Sequence, residues 1–132
     1  MFAACAVILA QQRSRSVWDG VYTREQARRG HDRYERLCAD CHGDELEGDV
    51  VEHPDLAGGN FRDRWNGQTL GDLFERIHRD MPQKNPGTLS REAAADLVAF
   101  ILSANGFPDG KQDLPRDTPS LDEIRFESQR PH

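Results

Sequence analysis

Two thiols and an imidazole stand together at Cys38-Ala39-Asp40-Cys41-His42, and elsewhere the 132-residue chain shows no catalytic acid, activated nucleophile or phosphate-binding loop. Cysteines two residues apart can act as a thioredoxin-like redox pair or supply half of a zinc site. When histidine follows at once, they can also attach a c-type haem. A redox pair requires a βαβ surround, and no strand-like run flanks these residues. Zinc requires a second thiol pair, whereas the remaining cysteine is Cys5, inside an apolar N-terminal run. The haem reading uses every residue type present. The thiols of Cys38 and Cys41 add across the two porphyrin vinyl groups, and His42 is carried beneath the iron as its proximal ligand. Zinc and chance occurrence remain as the lesser readings.

Such a site needs elements to hold it. Thr23-Arg24-Glu25-Gln26 has the form of a capping box, so a helix is expected to start at Thr23 and run into the cysteine motif. Along it Ala27, Gly30, Tyr34 and Leu37/Cys38 recur at spacings of three and four, which puts them on one face. Glycine inside a helix costs on the order of 1 kcal/mol, so Gly30 points to another helix backbone crossing closely there. Thr69 caps a second helix carrying Leu70, Leu73, Phe74 and Ile77, which ends at Met81-Pro82 and leaves Met81 on an extended loop. Ser90 caps a third, with Ala94, Leu97, Val98, Ile101 and Leu102 as a broad apolar stripe beside Phe100, closed by Asn105-Gly106.

Between Cys38 and Phe61 there is no Lys or Arg, while Asp40, Asp44, Glu45, Glu47, Asp49, Glu52 and Asp55 are all acidic. A run of this kind ordinarily marks a solvated loop. Pro54 to Gly59 reads as a turn within it. Trp65 follows, and its indole N–H needs an acceptor when buried, a role that a haem propionate fills.

With a net charge of −6 and 30% charged residues, the chain reads as one acidic, soluble domain and not as a nucleic-acid binder. Phe2 to Ala10 is a continuous apolar run followed by QQRSRS, which matches the apolar and cleavage regions of a secretory signal peptide without its positive start. The run is too short to span a bilayer, so export to the periplasm is expected in preference to a permanent anchor. A buried N-terminal segment is the other reading. If the signal is cleaved, Cys5 leaves with it. Residues 1–16 are thus expected to be a truncated signal-like segment and linker, 17–108 the domain, and 109–132 an extension. That extension should drape on the domain through Ile124 and Phe126 and fray at its end.

Helix, Cys-Ala-Asp-Cys-His, long loop, helix, Met-Pro loop, helix: this order resembles a class I cytochrome c over residues 17 to about 108. The stretches VWDGVYT, WNGQTLGDLFERI, MPQKNPGTLS and ILSANGFP are similar to the monohaem proteins and domains that accompany bacterial quinoprotein dehydrogenases. The resemblance implies an all-α fold, three main helices plus loops wrapped around one covalent haem c. It also implies that the first and last helices cross at Gly30 and Phe100. Met81, the methionine before the last helix, would be the sixth ligand of the iron. Pro54 would accept the His42 imidazole N–H through its carbonyl, the orienting contact that a metal-bound histidine generally needs. Leu56 joins Pro54 and Trp65 among the expected haem contacts.

A His/Met-ligated iron has both axial positions filled, so the implied job is carrying single electrons between redox proteins and not catalysis. The expected partners are a quinoprotein dehydrogenase as donor and an oxidase or another cytochrome as acceptor. Two other readings stand beside this one. The chain could be the electron-accepting subunit of a quinoprotein (PQQ) dehydrogenase, or a haem-based ligand sensor or weak peroxidase if Met81 does not bind. His31, His53, His78 and His132 are the histidines that could compete with Met81.

Overall fold

A computed structural model describes residues 15–131; the apolar run at residues 2–10, Cys5 and His132 lie outside them. Six α-helices follow a short 3-10 turn at Val17–Asp19: α1 (Arg24–Leu37), α2 (Ala39–His42), α3 (Gly59–Trp65), α4 (Leu70–Asp80), α5 (Arg91–Ala104) and α6 (Thr118–Leu121). Among the described residues the extended pairing is limited to two isolated bridges through Arg125, one to Ser16 and one to Thr69. The fold is therefore all-α, as expected.

Thr23 caps α1 by accepting from the Gln26 N–H at 3.1 Å. The reciprocal half of the expected capping box is replaced by a longer-range contact. The Gln26 side chain is buried and takes the Leu114 N–H at 2.6 Å while donating to the Leu114 carbonyl at 3.4 Å. Ala27, Gly30 and Tyr34 line the buried face, but Leu37 is 41% exposed, because the helix ends there and the chain turns into α2. At Gly30, α1 meets α5 so closely that a Cβ would lie 1.9 Å from the Asp96 carbonyl oxygen and 2.8 Å from the Phe100 Cβ. The expected crossing is real, and only a residue without a side chain permits it.

α5 is buried from Ala93 to Ala99 and again at Ile101 and Leu102, so the expected stripe is nearly a full circumference. Within it lies Asp96, fully buried and held by Arg29 at 3.4 Å and Arg33 at 3.2 Å from the crossing helix. A buried carboxylate needs such partners. Not every charged residue therefore lies on the surface. α4 is capped by a full box, Thr69 with Asp72, and buries Leu70, Leu73 and Phe74.

Residues after 108 pack against the domain, with Ile124 and Phe126 among the buried points. Leu114, Leu121, Ile124 and Phe126 are all buried. The Val17 N–H donates to the Arg125 carbonyl at 3.0 Å, the Leu70 N–H to the Ile124 carbonyl at 2.9 Å, and the Phe126 N–H to the Gln68 carbonyl at 2.7 Å. The Phe126 ring stands edge-on to Phe61 at 5.8 Å and to Phe107 at 5.3 Å. Burying such a ring contributes about 1.5–3 kcal/mol, ample reason for the segment to fold in.

Candidate haem site

α1 ends where the site begins. Cys38 caps its C-terminus, donating its N–H to the Tyr34 carbonyl at 2.8 Å, and its own carbonyl accepts from the Cys41 N–H at 3.2 Å and the His42 N–H at 2.9 Å. Both thiols and the imidazole therefore ride on one turn, Cys38 as the N-cap of α2 and Cys41 and His42 within it. The Tyr34 hydroxyl donates to the Gly43 carbonyl at 2.6 Å and pins the turn's exit to α1. Both cysteines are free and half-buried. Burial, reinforced by Cys41, pushes the Cys38 thiol up to about 11. That is the wrong direction for a thioredoxin-like nucleophile, whose thiol must be easily ionised.

His42 is buried, and its Nδ1 lies 2.9 Å from the Pro54 carbonyl oxygen. A carbonyl can only accept, so Nδ1 carries the proton and the lone pair of Nε2 is left for a metal. The loop that supplies Pro54 returns to the motif by two further contacts. The Gly48 N–H donates to the His42 carbonyl at 2.6 Å, and the Leu56 N–H to the Leu46 carbonyl at 2.8 Å. Leu46 itself is 4% exposed, a core residue set among the acidic positions. Leu56 is half-buried, and its carbonyl accepts from Asn105 Nδ2 at 2.9 Å, while Asn105 Oδ1 takes the Gly58 N–H at 3.0 Å. Asn105 closes α5 as expected, but its buried side chain also clamps the end of this loop.

Trp65 ends α3 half-buried, tilted against Phe61 at 6.4 Å, and its indole N–H meets no acceptor among the described residues. Met81 is half-buried at the C-terminal cap of α4, its N–H on the Ile77 carbonyl at 3.0 Å, and the bond to Pro82 is cis. Contacts thus join Cys38, Cys41, His42, Pro54 and Leu56 into one unit. Trp65 and Met81 stand on separate elements, with no hydrogen bond or ring contact to His42 among the described residues. Among the described residues, the competing histidines have other neighbours. His31 stacks on Phe100 at 4.8 Å and pairs with Glu35 at 3.2 Å; His78 stacks on Phe74 at 5.6 Å; His53 binds Asp49 at 2.7 Å.

These residues fit a covalently held porphyrin. Cys38, Ala39, Leu56, Ala57, Trp65 and Ile77 are apolar groups that the protein itself covers only in part. Beside them are two free thiols, an oriented imidazole and an indole N–H without an acceptor. Zinc does not fit, because among the described residues no three His, Cys, Asp or Glu side chains converge as a metal site. When bound, haem c supplies a one-electron Fe(III)/Fe(II) couple.

Six of the seven loop carboxylates are exposed. The seventh, Asp55, is half-buried and paired with Arg64 at 2.7 Å. A cation that the local sequence lacks is thus brought in from α3. The tip of the loop, Val50 and Val51, projects into solvent.

Comparisons with known proteins bear on the family and the fold. The sequence profile of the family described as cytochrome c oxidase, cbb3-type, subunit III matches residues 25–101, more than half of the chain. The crystal structure of the sulfane dehydrogenase SoxCD from Paracoccus pantotrophus superposes with a TM-score of 0.53 at 23% identity. That superposition covers 83% of this chain but only 61% of the SoxCD chain, and it is a likeness of fold. A search of curated protein sequences returns no match.

Proposed function

The chain belongs to the cytochrome c family described as cytochrome c oxidase, cbb3-type, subunit III, and so carries covalently bound haem c; from that premise we propose that it is a monohaem carrier of single electrons between exported redox proteins. One observation carries the proposal. Cys38, Cys41 and His42 share a single helical turn, and the Pro54 carbonyl fixes His42 with Nε2 free for the iron.

On this reading Cys38 and Cys41 hold the porphyrin through two thioethers, and His42 is the proximal ligand. Met81 supplies the sixth ligand from the end of α4, and Trp65 donates its indole N–H to a propionate. Leu56 packs beside the ring. With His42 and Met81 both holding the iron, it would be closed to substrates, and the protein would be a carrier and not an enzyme. The thioether sulfur raises the reduction potential relative to a second imidazole. If Met81 did not bind, an open iron would make the sensor or peroxidase reading the better one. The contacts that occupy His31, His53 and His78 elsewhere favour Met81.

The N-terminal apolar run supports a periplasmic setting, and among the described residues no helix is long and apolar enough to cross a membrane. The exposed carboxylates at Asp40, Asp44, Glu45, Glu47 and Glu52 support partners with basic docking faces. We assign the donor side to a dehydrogenase, of the quinoprotein kind on the sequence likeness, and the acceptor side to an oxidase or second cytochrome. Extraction with acid–acetone and an optical spectrum of the purified protein test the core of the proposal. The colour should stay with the protein, and haem that passes into the solvent would refute it.

A further inference from the structure

We infer that Asp49 and His53 form a buttress that fixes the plane of the His42 imidazole, a positioning role resting on the assignment of His42 as the proximal ligand. The loop leaves and rejoins His42 at two points, the Gly48 N–H on its carbonyl and the Pro54 carbonyl on its Nδ1. Everything between those points is organised by one side chain. Asp49 Oδ1 accepts from the backbone N–H groups of Val51 at 2.9 Å, Glu52 at 2.7 Å and His53 at 3.3 Å. Its Oδ2 accepts from His53 Nδ1 at 2.7 Å, and its own N–H donates to the His53 carbonyl at 2.8 Å. The Glu52 N–H first, and then the His53 ring, hold this carboxyl well below the usual carboxylate range.

Burial does not explain the loop's shape, because Val50 is fully exposed and Val51 nearly so. The hydrogen bonds gathered by Asp49 hold it. Their product is the placement of His53, whose side chain is only 22% exposed and whose ring stands edge-on to His42, centroids 6.1 Å apart at 71°. A single hydrogen bond at Nδ1 sets the direction in which the His42 ring points but lets it swing about that axis. A second ring against its side restricts the swing. Because Pro54 follows His53 directly, the same anchor also fixes the carbonyl that His42 uses. The plane of an axial imidazole governs its overlap with the iron orbitals, so loss of the buttress should be visible in the electronic structure of the haem.

The test uses the mature holoprotein and four variants: Asp49→Ala, Asp49→Asn, His53→Ala and His53→Phe. The readout is the pattern of hyperfine-shifted haem methyl resonances in the oxidised protein, with the midpoint potential measured alongside. Asp49→Ala and His53→Ala should change the spacing of the methyl resonances and shift the potential. Asp49→Asn keeps an acceptor for the loop amides and His53→Phe keeps an edge-on ring, so both should restore most of the wild-type pattern. Should Asp49→Ala fail to mature, His53→Ala against His53→Phe makes the same comparison. Earlier melting of the alanine variants with methyl patterns that superpose on wild type would make the pair a loop staple only, and overturn the inference. A wild-type protein without covalent haem would overturn the functional reading itself, and the buttress with it.

Discussion

Replacing Gly30 by alanine gives two accounts of this residue opposite signs. If the glycine were merely tolerated on α1, alanine would stabilise the helix by about 1 kcal/mol. The structure demands the reverse. A Cβ at this position lies 1.9 Å from the Asp96 carbonyl oxygen, 2.6 Å from its carbon and 2.8 Å from the Phe100 Cβ. Two of those atoms are backbone, so no rotamer change relieves the contact, and α1 must retreat from α5. Overpacking of this kind costs about 1–3 kcal/mol, and a backbone clash belongs at the upper end. Set against the helix gain, the net loss is about 2 kcal/mol. For a chain of this size that lowers the melting temperature by roughly 6–10 °C. The same retreat pulls Arg29 and Arg33 from the buried Asp96, which adds to the loss. Thermal unfolding of the holoprotein, followed by far-ultraviolet circular dichroism, measures it. Phe100→Ala in the same chain should recover none of it, because alanine keeps the Cβ at position 100 and the Asp96 carbonyl stays in place. A Gly30→Ala protein as stable as wild type, or more so, refutes the argument.

Met81→Ala should abolish the weak far-red sulfur-to-iron band, lower the potential and let carbon monoxide bind the reduced protein; a variant that keeps the band and stays closed shows that another residue is the ligand. Neutralising Asp44, Glu45 and Glu47 together should flatten the salt dependence of electron exchange with the native partner between low and physiological ionic strength, where the Debye length falls to about 8 Å, without altering the haem spectrum. Unchanged rates across the series would mean that these charges only solvate the loop. Acid should weaken the hold on the C-terminal segment. Glu75 is held below the ordinary carboxylate range by the Thr118 hydroxyl and then Arg91, and Asp113 by Thr23 and then Arg29. Lowered folded values mean stability that is present above about pH 4 and lost as pH falls through them. Glu75→Gln with Asp113→Asn should therefore reduce the pH dependence of melting below pH 4, and an unchanged acid limb would count against the two pairs.

What sequence reading could reach was local. Thr23, Thr69 and Ser90 announce their helices because a cap is a matter of three or four neighbouring residues. Gly30 was legible because a costly residue at a periodic position needs a reason. The Cys-Ala-Asp-Cys-His stretch was legible because its chemistry is contained in its spacing. The contacts that escaped join distant segments. Gln26 has the right spacing for a capping box, but a backbone pair 88 residues away is the better partner once it is buried. Asp96 looks like a surface acid until Arg29 and Arg33 arrive from α1. Leu46 is hidden by its acidic neighbours, and the apolar points of the tail are too sparse to show periodicity. The Asp49–His53 pair has an i, i+4 spacing common on any exposed loop, and only the nearness of the His42 ring gives it meaning.

The C-terminal segment also sets the order in which the molecule can be completed during its synthesis. Trp18 donates its indole N–H to the Glu127 carbonyl across 109 positions of chain, and Arg125 pairs with both Ser16 and Thr69. A growing chain that has reached Phe107 contains the sequence of each main helix, yet Phe61 and Phe107 still lack the ring of Phe126, and Val17 has no carbonyl to receive its N–H. This part of the core is complete only once Ile124 and Phe126 have been made. The two thiols, by contrast, emerge within the first third of the polypeptide. Both thiols are therefore made before the residues that complete this part of the core.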